Sequence, residues 1–361
     1  SKKDLAMNIL FLSRLFWPHV GGVEKHGLEV AKRLARRGHK VVIITEELPY
    51  KKLKTQSSNL KTTTENSKLE NIKIYRTPTG KDDWFKKLRI WAWLWKNKKL
   101  IEEADIVHAH DVGFWYWPFR FLYPKKPFYL TFHGWEGKFP VPLKNKLVRK
   151  ISEKLARGNI CVGDYIKKWY GTRPGYTTYG GVESSKFKVQ SSKIKNENQI
   201  VFVGRLENDT GLPIYLRAIE LLHKKYSILN TPYPILFLGE GSLKSEAEKY
   251  GKVLGVVKDI RPYLLESRFV FTSGYLSILE AMACRKLVFA VYDNPLKEDY
   301  LRLSPFAKGI VIESSPELLY HRLVHDTRPA KEQERLADEV YNWTRGQTWE
   351  KVTELYLKLW Q

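Results

Sequence analysis

Short apolar runs alternate with longer amphipathic stretches twice over along this chain, and that alternation restricts the fold more than any other feature. In the first half, "MNILFLSRL" reads as a strand, "GGVEKHGLEVAKRLARRG" as a helix opened by glycines and ending at Gly38, and "HKVVIITEE" as the next strand. "NIKIYRT", "ADIVHAHD", "PFYLTFHG" and "GNICVGD" continue as strands, with helices expected over 82–103 and from about 143 to 157. The second half repeats the rhythm with "IVFVGRL", "PILFLGE", "KVLGVV", "RFVFTSG", "KLVFAVYD" and "GIVIES" as strands. Helices are expected between them over 211–225, 242–250, 261–266 and 276–284. Strands separated by helices pair in parallel and are covered on both faces, so the fold class is α/β.

At 361 residues the chain exceeds one ordinary hydrophobic core. Two sheets in tandem put the carboxyl ends of their strands at a cleft. The Gly-, Ser- and Asn-rich stretch near 188–197 is the expected boundary. The domains are then 7–188, 197–335 and a helical tail, 336–361, packing back on the first. Residues 51–70 are polar and read as a loop.

Cys161 and Cys284 lie far apart, outside any CxxC pair, which argues against a disulfide framework or a zinc site and for a reducing, cytoplasmic setting. The opening run is broken by Arg14 and has no small-residue cleavage site, so no signal peptide is expected and residues 1–6 read as a prefix to Met7. No window approaches the roughly 18 uncharged residues of a spanning helix. Charge is uneven: residues 1–190 hold 38 Lys/Arg against 17 Asp/Glu, and residues 191–361 hold 24 against 22. The excess points the first half at an anionic partner: lipid headgroups, a phosphorylated acceptor or nucleic acid.

Several strand ends carry candidate chemistry. Gly21 and Gly22 end a loop and open a helix, where backbone N–H groups can approach an anion, although such a pair also suits a tight turn. The pattern is not GxGxxG and lacks a ribose carboxylate, which disfavours a nicotinamide cofactor. His108, His110 and Asp111 end one strand, and His133 and Gly134 another; they are either satisfied polar groups or cleft side chains, and no metal is expected. Arg205 follows a buried strand, where its fork can grip phosphate oxygens or pair with Glu207 or Asp209. Gly239 and Gly241 form another strand-end turn. Ser273, Gly274 and Tyr275 make a strand-to-helix turn, and Glu280 follows inside an apolar helix. A buried carboxylate needs partners, and two adjacent ribose hydroxyls would supply them.

Taken together, "GGVEKHGLEVAKRLARRGHKVVIIT", "DIVHAHD", "TFHG", "YGGVESSKF", "VFVGRL", "LGEG", "LEAMAC" and "TWEKV" resemble, in order and spacing, the family 4 glycosyltransferases over nearly the whole chain. The resemblance implies a GT-B fold: two facing Rossmann-like domains with an interdomain cleft, the first binding acceptor and the second a nucleotide sugar. It also implies retention of anomeric configuration, no metal, and no cofactor beyond the nucleoside diphosphate sugar as co-substrate. His133 would lie beside the donor sugar, Arg205 on the diphosphate and Glu280 on the ribose, these three forming the catalytic set. Gly21, Gly22, Gly239, Gly241, Thr272, Ser273, Gly274 and Tyr275 would complete the donor site, and His110, Asp111, Trp115 and Trp117 would lie on the acceptor side.

Two positions depart from the family pattern. Thr210 stands where a lysine usually gives the diphosphate a second cation, and Thr272 where a glutamate usually meets donor-sugar hydroxyls. Losing one such cation costs about 1.5–3 kcal/mol, and Lys244 is a candidate substitute. Arg285 and Leu287 replace the favoured Gly and Pro. These departures leave open a non-catalytic partner or binding protein on the same fold, and a transferase with an atypical donor.

The basic half also carries aromatic clusters. Trp84, Leu88, Trp91 and Trp95 form a helical stripe that suits either the core or a membrane interface. In "PLKNKLVRKISEKLAR", Leu147, Val148, Ile151 and Leu155 are expected inward, with Lys144, Lys146, Arg149, Lys150 and Lys154 outward. Phe114, Trp115, Tyr116 and Trp117 suit sugar stacking, lipid contact or burial. The expected partners are a nucleotide-sugar donor, a sugar or lipid-linked acceptor and an anionic membrane surface met from the cytoplasmic side. No nucleic-acid motif is present.

Overall fold

Continuous runs of Val, Ile, Leu and Phe dominate the central strands, as they must where both faces of a parallel sheet are covered. The structure, a computed structural model, describes residues 6–19, 21–47, 71–78, 80, 83, 85–134, 137, 139–183, 199–226, 233–325 and 330–361. It divides into two compact units, residues 1–178 with 349–361, and residues 179–348.

In the first unit β1 (Asn8–Ser13), β2 (Lys40–Glu46), β3 (Ile72–Thr77), β4 (Ile106–His110), β5 (Phe128–Phe132), β6 (Gly158–Val162) and β7 (Tyr176–Thr178) form one sheet in the order β3-β2-β1-β4-β5-β6-β7. Every pairing is parallel, with Ile9 between Val41 and Ile106. Around it run α1 (Gly22–Arg36), α2 (Lys86–Lys96), α3 (Trp117–Leu122) and α4 (Leu143–Leu155). The helix expected over 82–103 is broken after Lys96 and resumes as the short turn Lys99–Glu102.

The second unit repeats the plan. Strands β8 (Ile200–Val203), β9 (Ile235–Leu238), β10 (Lys252–Gly255), β11 (Phe269–Phe271), β12 (Leu287–Val291) and β13 (Val311–Glu313) pair in parallel in the order β10-β9-β8-β11-β12-β13. Its helices include α5 (Leu212–Tyr226), α6 (Tyr275–Ala283) and α7 (Pro295–Arg302). Its core centres on Phe202, Tyr215, Ile219, Phe237, Phe271 and Phe289.

The chain then returns to the first unit. Helix α8 (Trp349–Trp360) lies along α1, where Arg33 Nε meets Glu350 Oε1 at 2.7 Å and Arg37 Nη2 meets Glu354 Oε1 at 2.5 Å. The return starts at Trp349; the preceding helix, Ala330–Arg345, belongs to the second unit. The boundary expected at 188–197 lies outside the described residues. Strand β7 has no counterpart among the expected strands, because "YTT" lacks an apolar run. Both cysteines are free and buried.

Candidate functional site

Each sheet reverses its strand order once, at β1/β4 and at β8/β11. In open parallel sheets ligands bind beyond the carboxyl ends of the strands at such a reversal. In the second unit, Gly204 and Arg205 follow β8, and Thr272, Ser273 and Gly274 follow its neighbour β11.

Arg205 is exposed, and its Nη2 lies 2.7 Å from Asp209 Oδ2. Its loop rests on the turn after β9. A Cβ on Gly239 would lie 1.8 Å from the Gly204 oxygen, and one on Gly241 2.2 Å from the Leu206 oxygen. The main chains bond there directly, Leu206 N to Glu240 O at 3.0 Å and Leu243 N to Leu206 O at 2.9 Å. These two glycines therefore permit loop-on-loop packing beneath Arg205. The Glu207 carboxylate accepts from Ser242 N, and Thr210 Oγ1 donates to the Arg205 and Glu207 carbonyls at 3.0 and 2.7 Å. At the position where the resemblance implies a lysine, Thr210 thus closes the turn. Lys244, the candidate substitute, pairs with Glu240 at 3.4 Å. Another cation borders the loop: on α7, largely buried Lys297 donates from Nζ to the Asp209 carbonyl and lies 3.4 Å from Asp293 Oδ1.

The turn after β11 is bound into its surroundings. Ser273 Oγ donates to Val291 O and accepts from Val291 N, each at 3.0 Å, and lies 2.9 Å from the Tyr215 hydroxyl. Burial holds the Tyr215 hydroxyl far above the usual phenol range. Tyr275 is buried; its ring stacks on Tyr300 at 3.8 Å and its N donates to the Tyr300 hydroxyl. Thr272 is also buried, with Oγ1 2.8 Å from Ser277 Oγ. Its side chain is thus engaged at the start of α6. Along α6, Ile278, Leu279, Ala281 and Met282 are buried, while Leu276, Ser277 and Glu280 are half-buried on the more open side. That is how a carboxylate fits so apolar a segment.

In the first unit, α1 opens after Gly21. The Glu24 side chain folds back over the helix start, its Oε1 2.9 Å from His19 Nδ1, and a Cβ on Gly21 would meet Glu24 Oε2 at 2.3 Å. Nothing lies within 4 Å of a Cβ on Gly22. Behind this loop four histidines are buried together. His110 Nδ1 lies 2.9 Å from His133 Nε2, and His26 meets the His133 ring edge-on at 4.7 Å. His108 Nε2 lies 2.7 Å from Thr131 Oγ1, which donates to the Tyr356 hydroxyl on α8; that hydroxyl lies 3.0 Å from His26 Nε2. Burial is the main cause that pushes all four imidazoles down, His26 and His110 to about 3. They are neutral at physiological pH, and His110 Nε2 is buried without a hydrogen-bond partner among the described residues. Asp111 adopts a left-handed conformation (φ 60°), and its Oδ1 accepts from His133 N at 2.9 Å. Among the described residues no group of three His, Cys, Asp or Glu side chains is placed to hold a metal ion.

The acceptor-side residues separate. His110 and Asp111 meet His133, but Trp115 is buried in the core and Trp117 is tied to Ser152 Oγ through its indole N–H. Sequence reasoning overlooked His26 and Tyr356, whose proximity is long-range, and Lys297, whose signal is a lysine three residues after the helix-capping Asn294.

Comparison with known proteins gives concordant results. The profile described as Glycosyltransferase Family 4 matches residues 20–177, and Glycosyl transferases group 1 matches residues 197–317. One of the subunits of human phosphatidylinositol N-acetylglucosaminyltransferase is 25% identical over 308 residues, an alignment taking in 77% of this chain; the chain spans 60% of that relative's length. Among solved structures, HepE of Anabaena in complex with UDP and glucose superposes with a TM-score of 0.71 at 14% identity, covering 98% of both chains. A glycosyltransferase from Rickettsia africae gives 0.67 at 16% over 98% of both. WaaG, a glycosyltransferase involved in lipopolysaccharide biosynthesis, gives 0.64 at 14% over 96% and 99%. These structural likenesses establish the GT-B fold.

Proposed function

The chain belongs to the family 4 glycosyltransferases, and on that premise we propose that it moves a sugar from a nucleoside diphosphate donor to an acceptor hydroxyl with retention of configuration and without a metal. The observation that carries the donor reading is the convergence of Arg205 and the Ser273–Gly274 turn beyond adjacent strands β8 and β11, followed by Glu280 on the open side of α6. The Arg205 guanidinium would hold diphosphate oxygens in a charge-assisted fork, and Glu280 would accept from the ribose hydroxyls. Charge developing on the departing diphosphate would be stabilised by Arg205 and backbone N–H groups. No protein nucleophile is assigned: the proposed step is front-face attack, with the acceptor oxygen displacing the diphosphate and the leaving phosphate taking the acceptor proton. His133, held by Asp111 and His110, would meet the sugar as a neutral imidazole.

The acceptor is read as membrane-borne, a glycolipid or envelope glycan reached by a cytoplasmic, peripherally attached enzyme. The charge asymmetry supports this, as do a relative and a structural neighbour whose names concern a phosphatidylinositol and lipopolysaccharide. Thermal shifts with UDP, GDP, ADP, CDP and dTDP test the donor site. One nucleotide should raise the unfolding temperature of the wild type and not of Glu280→Ala; no shift from any of them at millimolar concentration would overturn the reading.

One observation favours a second reading, a non-catalytic partner protein on the same fold: Arg205 is already paired with Asp209, and Thr210 brings no second cation. It predicts no turnover with any nucleotide sugar, even one that binds.

A further inference from the structure

The first unit exposes large apolar side chains in one region. Of the eleven large hydrophobics exposed among the described residues, eight fall between Phe85 and Leu147. Leu143 is 83% exposed, Phe121 75%, Leu147 62% and Trp95 54%. On α4 two sequence expectations are reversed, and on α2 an open choice is decided. On α4 it is Leu147 that points outward and Arg149 that is buried, its guanidinium stacked on Phe132 and Tyr170 and donating to the Gly134 carbonyl. On α2 the core residues are Ile90 and Leu94, which leaves Leu88 and Trp95 on the opposite side; Trp84 lies outside the described residues.

The helices carrying these side chains are packed together. Trp95 of α2 lies 6.3 Å from Phe119 of α3, and the Trp91 indole donates to the Phe114 carbonyl just ahead of α3. Trp117 and Arg120 of α3 donate to Ser152 Oγ and Leu155 O of α4 at 3.1 and 3.0 Å. At 100° per residue, Leu143, Leu147, Lys150 and Lys154 form one stripe of α4 opposite buried Ser152.

Charge selects the occupant. Across α2, α3 and α4 there are ten Lys/Arg and one acidic residue, Glu153. Lys87 lies 4.7 Å over the Phe114 ring, and burial, then the neighbouring Lys144, push its ammonium down. Like charges held this close gain from an anionic counter-surface. A nucleic-acid backbone would satisfy the lysines yet gain nothing from Leu143 or Phe121, whereas a bilayer takes apolar tips into its acyl boundary and lysines among its headgroups. Among the described residues no helix is long and apolar enough to cross a membrane.

We propose that the outer side of α2, α3 and α4 is a docking face for an anionic lipid bilayer, with Phe121, Leu143 and Leu147 entering the interface and Lys87, Lys144 and Lys154 meeting phosphate headgroups. This deepens the reading of a membrane-borne acceptor and rests on it for its purpose, while binding itself requires no donor.

Flotation with phosphatidylcholine vesicles, with and without phosphatidylglycerol, tests the face. Wild-type protein should float with the anionic vesicles and be released by high salt. Phe121→Ser/Leu143→Gln/Leu147→Gln should lower partitioning by more than about tenfold, and Lys144→Glu/Lys154→Glu by at least as much. Val256→Ser/Leu318→Gln, exposed apolar positions of the second unit, should leave it unchanged. Unfolding temperatures and nucleotide thermal shifts of each variant check that the fold and donor site are intact. Absence of vesicle binding by the wild type, or equal binding by the triple variant, would overturn the proposal. So would a dimer abolished by the triple variant, or salt-sensitive retention on DNA without vesicle binding. Vesicle binding without any nucleotide shift would leave the docking face standing and remove the donor reading instead.

Discussion

Arg205 Nη2 and Asp209 Oδ2 lie 2.7 Å apart, so the arginine assigned to the diphosphate already has an anion beside it. The pair is open to solvent and contributes about 0–1 kcal/mol. A diphosphate with more charge and a fork-matching geometry should displace it. Asp209→Ala is therefore expected to tighten nucleoside diphosphate binding by up to about fivefold, whereas Arg205→Ala should weaken it about ten- to a hundredfold. Titration calorimetry on both variants checks this; tighter binding by Arg205→Ala would remove the arginine from the donor site.

The buried imidazoles predict how stability depends on pH. His26 and His110 have folded-state values of about 3 against an ordinary value of 6.5. Between those limits the unfolded chain binds more protons, so stability must fall as pH falls through that window. From pH 7 to 5.5 the loss is about 1 kcal/mol for each of the two, with His108 and His133 adding in the same direction. Urea midpoints across this range should fall accordingly, and His110→Gln should flatten the profile.

Glycine contacts separate packing from ligand approach. Gly239 has φ +158° and its Cβ would strike the Gly204 carbonyl, so Gly239→Ala should cost about 3 kcal/mol. Gly22 has open space instead, and Gly22→Ala should leave stability within about 0.5 kcal/mol. A fall in transfer rate for Gly22→Ala at unchanged unfolding temperature would report a ligand at the start of α1.

The double α/β plan was readable because strands buried on both faces are unbroken apolar runs, as in "VFV" and "LVFAV". The candidate loops were readable because strand ends fall where those runs stop. Arg149 and Leu147 were not, since helical periodicity places leucine inward and arginine outward. What reverses them is the stack of Arg149 between Phe132 and Tyr170 and its bond to the Gly134 carbonyl. The same limit applied to Trp115 and to the histidine cluster. Tyr356 lies 330 residues from His26 in sequence, and no local pattern announces that a C-terminal helix supplies its hydrogen bond.

Lys297 offers a way to decide whether the donor loop lacks a cation. Its Nζ holds the Asp209 carbonyl from beneath the turn that Thr210 closes, so it serves the loop's shape and its positive potential together. Lys297→Met should lower the unfolding temperature, because a bond from a charged donor contributes about 1.5–3 kcal/mol. It should also weaken nucleoside diphosphate binding by about tenfold. Adding Thr210→Lys returns a cation to the loop without restoring the bond to Asp209, so the double variant should recover affinity while its unfolding temperature stays low. Affinity and unfolding temperature should therefore diverge across the four proteins, a divergence that double-mutant cycles run in binding and in unfolding measure directly. Affinity that follows unfolding temperature through all four proteins would make Lys297 a purely structural lysine and leave Arg205 as the cation of that turn.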